Sequence, residues 1–89
     1  MYKIERSKAY KKDIKKIVFS NQHYAKYIIY FGYLLTDKAL PAEAKDHQLR
    51  GDYFGYREFH ISGDLLVIYK IENNTLYLAR IGSHSELFK

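Results

Sequence analysis

Residues 53–81 hold three strand-forming runs separated by two short turn signals, Ser62-Gly63 and Asn73-Asn74. Tyr53 to Ile61 alternates, with a break near Gly55, while Asp64 to Ile71 and Thr75 to Ile81 are apolar and rich in β-branched residues. Turns this tight join antiparallel neighbours, because a parallel crossover needs a dozen residues or more. The C-terminal half is therefore predicted to be a three-strand antiparallel meander.

The N-terminal half has the other period. Tyr2 to Arg6 reads as a short strand that can join the sheet as a fourth member. Ser7 is an N-cap candidate, and Tyr10, Ile14, Ile17 and Val18 then fall at helical spacing up to about Asn21. That spacing leaves Lys11, Lys12, Lys15 and Lys16 on the outer surface. A second helix is predicted from about Gln22 to Thr36, with Tyr24, Tyr27, Ile28, Phe31, Leu34 and Leu35 as its apolar stripe. Tyr30 and Tyr33 widen the stripe, which predicts cover on more than one side. Pro41 ends the helical region, and residues 37–52 read as a long polar loop. The expected fold is α+β: two N-terminal helices packed on one face of a small, mainly antiparallel sheet of three to four strands, its other face open.

Eighty-nine residues make one small domain, expected to span 1–89, with a modest core. A composition 47% hydrophobic and 28% charged excludes a disordered chain. No apolar run is long enough to span a membrane, and no signal region opens the chain, so a cytoplasmic location is expected. Without cysteine, disulfides and thiolate metal sites are excluded. Asn73-Asn74-Thr75 matches a glycosylation acceptor but is better explained as a turn. Residues 1–20 carry seven basic and two acidic side chains, and residues 21–89 carry eight of each, so the whole net charge of +5 lies on the N-terminal segment. That footprint suits a polyanion or an acidic protein, or equally a solvated lysine face.

Three of the four histidines, His47, His60 and His84, lie in the C-terminal half with a carboxylate near each: Asp46, Glu58 with Asp64, and Glu86. Histidine exchanges protons near neutral pH, so these groups can form an acid–base site. Strand parity places Tyr56, Glu58 and His60 on one face, and Arg57, Phe59 and Ile61 on the other. Asp64, across the turn, is expected to hold the His60 imidazole. Arg57 is expected to be a structural ion pair or loop anchor, Tyr69 a core residue, and His23 a surface group. A zinc site is disfavoured because no close ligand pair such as H-x-x-x-H occurs.

The order of these residues adds more than their types. Asp46-His47-Gln48-Leu49-Arg50-Gly51, then Arg57-Glu58-Phe59-His60-Ile61, then Asp64-Leu65-Leu66, and finally Gly82-Ser83-His84-Ser85-Glu86-Leu87-Phe88 resemble the YafQ-like branch of the RelE/ParE superfamily of bacterial toxins. Over residues 46–88 the resemblance rests on motifs, and before that on layout alone. It implies an mRNA endoribonuclease acting in the ribosomal A site, needing no metal or other cofactor, and held inactive by a cognate acidic antitoxin. It implies site positions at His47, His60, Asp64, His84 and Phe88. The family pattern has aspartate where Glu58 stands, so the carboxylate here reaches one methylene further.

RNA brings its own nucleophile, the ribose 2′-OH, and needs a base, an acid and positive charge for the phosphorane. The assignment expected here is His84 as general acid and His60, assisted by Asp64, as general base, with the two labels exchangeable. Glu58 belongs to the same catalytic set, and His47 orients the phosphate or shares the proton work. Arg80 is expected to bind phosphate, Phe88 to stack on a base, and the four lysines to meet ribosomal RNA. Two other classes remain open: a non-catalytic ParE-like toxin, and an RNA- or protein-binding module of the same fold.

Overall fold

The structure is a computed structural model describing residues 1–88. In chain order its elements are β1 (Lys3–Arg6), α1 (Lys8–Lys16), α2 (Asn21–Leu35), β2 (His47–Gln48), β3 (Arg57–Ser62), β4 (Leu65–Glu72), β5 (Thr75–Gly82) and α3 (His84–Leu87), with 3₁₀ turns at Ala42–Ala44 and Gly51–Tyr53.

The meander is as expected, but the sheet is larger and mixed. Five strands run in the order β1-β5-β4-β3-β2. β1 pairs parallel to β5, because α1 and everything after it intervene before the chain returns as β5. β2 pairs antiparallel to β3 through only His47↔Glu58 and Gln48↔Arg57. The three- to four-stranded, mainly antiparallel expectation is thus corrected to five strands of mixed sense. A two-residue strand carries no periodic signal, so β2 was hidden in an apparent loop.

Turn chemistry sets the registers. Asn73 and Asn74 both take positive φ, 52° and 60°, as a two-residue hairpin turn of the primed type requires. The β3–β4 turn falls one residue later than Ser62-Gly63: Ser62 pairs with Leu65, which leaves Gly63 and Asp64 at the tip. A bulge between His60 and Ser62 accommodates the shift.

Each helix starts on a serine. The Ser7 hydroxyl accepts from the Tyr10 N–H at 2.9 Å and donates to the Ala79 carbonyl at 2.7 Å, tying α1 to β5. The Ser20 hydroxyl accepts from the His23 N–H. Ser83 opens α3 with a capping box, its side chain accepting from the Glu86 N–H while Glu86 accepts from the Ser83 N–H.

The principal core lies between the helices and the sheet. It joins Tyr10, Tyr30 and Leu34 to Phe59, Ile61, Val67, Tyr69, Leu76, Leu78 and Ile81. The opposite face is not left open. Leu66 and Ile68 are fully buried there beneath Leu87, with Leu49, Tyr53, Tyr56 and Phe88 packed around them. α3 and the segment leading into β3 supply this cover. By contrast, the outer face of α2 lacks the cover expected of it: Tyr24, Ile28 and Ile29 are each about half exposed.

Candidate active site

β3 aims Glu58 and His60 at the second, partly covered face. Glu58 sits opposite Ile68 and His60 opposite Leu66, both buried members of that face. Glu58 is only 4% exposed, yet its partners are two imidazoles. His60 Nε2 donates to Glu58 Oε2 at 2.9 Å. His47 Nε2 stands 3.8 Å from the same oxygen. The two rings are 6.5 Å apart, centre to centre, and nearly parallel.

Local geometry fixes one tautomer. His47 Nδ1 lies 2.6 Å from the Lys45 carbonyl oxygen, and only a protonated nitrogen can donate to a carbonyl. In the neutral ring, Nε2 is then the basic nitrogen, and it faces Glu58. Lys45 supplies that carbonyl from a left-handed conformation, φ 51°.

Asp46 anchors the same turn to the sheet. Its Oδ1 accepts from Tyr69 Oη at 2.7 Å and from Arg57 Nε at 3.2 Å. Arg57 is therefore the structural ion pair expected of it, and Tyr69 is a core residue, 2% exposed. Burial first, and the bond to Asp46 second, push the Tyr69 phenol well above its ordinary value.

Asp64 does not hold His60. Its Oδ1 accepts from the backbone N–H of His84 at 3.3 Å. The turn places Asp64 beside the first residue of α3, while Glu58, two residues away on the same strand face, takes the imidazole. Since His60 pairs with Leu66 and Leu66 with Gly82, His84 starts α3 at the same end of the sheet as His60. The His84 ring rests 4.7 Å from that of Phe88, which meets Tyr53 edge-on at 5.6 Å.

Arg80 is engaged within the fold. Its Nε and Nη2 donate to the two carboxylate oxygens of Asp13 at 2.7 and 3.1 Å, and Asp13 also accepts from the Ile81 N–H. These bonds hold the guanidinium above its ordinary pKa. The pair is separated by 67 residues and had no signal in the sequence. Lys11, Lys12, Lys15 and Lys16 are all exposed on α1, as the helical spacing predicted.

A cavity of about 550 Å³ lies by Asp37, Asp46, Phe54 and Arg57, and no histidine lines it. Among the described residues, no group of three His, Asp or Glu side chains is arranged to hold a metal ion.

Comparison with known proteins follows the same lines. The family described as the bacterial toxin of type II toxin–antitoxin systems, YafQ, matches residues 2–89. The mRNA interferase toxin YafQ of Escherichia coli is 38% identical over 87 residues, spanning 96% of this chain and 94% of its own. A crystal structure of the E. coli DinJ–YafQ complex is similar with a TM-score of 0.85 at 32% identity, covering the whole of both chains. A metal-bound toxin from Helicobacter pylori is 43% identical with a TM-score of 0.82, covering 99% of this chain and 100% of that one.

Proposed function

The chain belongs to the YafQ family of type II toxins, and from that premise we propose that it is an mRNA interferase, an endoribonuclease whose site is the His47–Glu58–His60 cluster together with His84. The observation that carries the site is the buried Glu58 carboxylate, bonded by His60 Nε2 at 2.9 Å, with His47 Nε2 3.8 Å from the same oxygen. A site that only bound a partner would have no use for proton carriers on a buried acid, which weighs against a non-catalytic toxin.

In the reaction, one imidazole of the cluster takes the proton of the 2′-OH. The O2′ forms a bond to the adjacent phosphorus as the bond to O5′ breaks, and His84 gives its proton to the leaving O5′. The products are a 2′,3′-cyclic phosphate and a 5′-hydroxyl. Glu58 steadies the imidazolium that forms. Asp64 acts as a positioning residue through the start of α3, in place of the direct partnership with His60 expected at first. Arg80 lends charge to the phosphate from its tie to Asp13, and Phe88 offers a ring to a base.

The substrate setting we infer is mRNA in the ribosomal A site, in the cytoplasm, with the α1 lysines against ribosomal RNA and the 1–89 chain working as one domain. The partner is an antitoxin. A similar YafQ is found in complex with DinJ, and the half-exposed Tyr24, Ile28 and Ile29 of α2 offer the apolar surface that a partner would cover.

The test is induced expression with mapping of mRNA 5′ ends. Growth arrest with cuts at defined codons, lost in His84→Gln, supports the reading. Arrest with intact mRNA overturns it.

A further inference from the structure

A row of side chains crosses the sheet beside the histidine cluster and has no part in the chemistry above. Lys70 sits directly opposite Tyr77 on β5. Arg57 pairs with Tyr69, so Tyr56, immediately before β3, continues the same row on the other side of Lys70. The Lys70 ammonium stands 5.0 Å from the centre of the Tyr56 ring and 5.4 Å from that of Tyr77.

Two ring faces hold this cation in place by cation–π attraction. The rotamer freedom a lysine normally loses on gripping a ligand is thereby already restricted. Its carboxylate neighbour is Glu72 at 3.9 Å, longer than a hydrogen bond and with Glu72 largely exposed. Glu5 is aligned with Tyr77 at the far end of the row. Lys70 keeps 28% of its side chain exposed, so the charge remains accessible.

The row is also continuous with the candidate site. Tyr56 lies two residues from Glu58 on the same strand face, about 7 Å along the chain. The rings of Tyr56 and Tyr53 are 6.2 Å apart, and Tyr53 leads through Phe88 to His84. An extended polyanion whose scissile phosphate lay at the histidines would pass over this row.

We propose that Lys70, held between Tyr56 and Tyr77, is a second phosphate-binding subsite, which takes a backbone phosphate of the RNA strand flanking the one that is cut. The inference rests on the nuclease reading given above. It has the character of a positioning contact: it grips the backbone, reads no base, and aligns the scissile linkage over the cluster.

The experiment pairs a protein change with a substrate change. Ribosomes are programmed with mRNAs in which single phosphates flanking the cut are replaced by neutral methylphosphonates, and cleavage is timed with wild type and Lys70→Gln. At one flanking position, neutralisation is expected to slow wild type about 5- to 10-fold, as loss of one charge-assisted contact would. Lys70→Gln should be slowed to a similar extent on normal mRNA and be indifferent to that neutral phosphate. Lys70→Arg should restore both the rate and the sensitivity. Tyr77→Leu, which keeps the charge but frees the lysine, should lose rate while keeping the sensitivity.

Effects of Lys70→Gln and the neutral phosphate that multiply at every position, or a Lys70→Gln chain as fast as wild type, would overturn the subsite and leave the nuclease reading intact. A wild-type chain that left the mRNA whole would overturn the nuclease reading, and the subsite with it.

Discussion

Replacing Asp46 tests how the site is held rather than what it does. Asp46 Oδ1 takes two donors, the Tyr69 hydroxyl at 2.7 Å and Arg57 Nε at 3.2 Å. The Tyr69 bond is the costlier to lose, because its ring is 2% exposed and a hydrogen bond to a charged group contributes about 1.5–3 kcal/mol. The Arg57 pair is wetter, with side chains 38% and 24% exposed, and solvent screening holds it to roughly 0.2–1 kcal/mol. Asp46 and Tyr69 both line the 550 Å³ cavity, so water can reach the orphaned hydroxyl and soften the loss. Asp46→Ala is therefore expected to cost about 2 kcal/mol, toward the lower end of that range, which for a domain of this size lowers Tm by roughly 8–16 °C. Tyr69→Phe removes the donor without orphaning it and should cost about 1 kcal/mol. Denaturant melts of both variants and the double variant would measure a coupling near 1 kcal/mol. Well below the melting range, Asp46→Ala should still cleave about 10-fold more slowly, because the turn that presents His47 has lost its anchor. A stability change under about 0.5 kcal/mol, or unaltered cleavage in a folded variant, would refute this account of how His47 is placed.

Other outcomes follow from the same geometry. Glu58→Gln keeps the shape but removes the charge that steadies an imidazolium, and cleavage should fall at least about 100-fold in single-turnover assays. Gly82→Ala would set a Cβ 3.3 Å from Leu87 Cδ2 and 3.4 Å from Glu86 Oε1, so α3 must shift slightly. Several-fold slower cleavage with little change in Tm is expected, and a wild-type rate would mean that α3 is not critical for placing His84. Alkali should unfold the chain. Burial first raises the phenols of Tyr10 and Tyr69 above the ordinary value of about 10, so both states are protonated below that pH and stability is unaffected. Above it the unfolded chain releases protons that the folded chain keeps, and stability should fall by about 1.4 kcal/mol per pH unit for each group. Denaturant melts between pH 9 and pH 11 would show the decline, and a flat profile would contradict it. Replacing Lys11, Lys12, Lys15 and Lys16 together by Ala should weaken ribosome binding and flatten its salt dependence while leaving Tm near wild type, as measured by sedimentation across a salt series.

Strand parity was enough to bring Glu58 and His60 together, because a half-buried strand fixes faces from the sequence alone. It could not choose between Glu58 and Asp64 as the partner of His60, since that depends on a bulge and a turn displaced by one residue. His47 looked like a loop residue because β2 is two residues long and is held by Asp46 from the other side of the sheet. The start of α3 is legible in the sequence, since Ser83-x-x-Glu86 is a capping-box pattern, and Ser20 is a serine N-cap of α2 without the glutamate. The bond between Arg80 and Asp13 had no local signature, because it arises only when α1 packs on β5.

The two edges of the sheet carry a consequence for the life of the free protein. On one side β2 offers a ladder only two residues long. On the other, β1 places Lys3, Glu5 and Arg6 on an exposed four-residue strand. A second sheet seeking to extend this one would find too little backbone at the first edge and a row of charges at the second. The fold thus discourages open-ended strand-to-strand stacking, and the chain can expose an apolar helix face to a partner without its sheet seeding fibres.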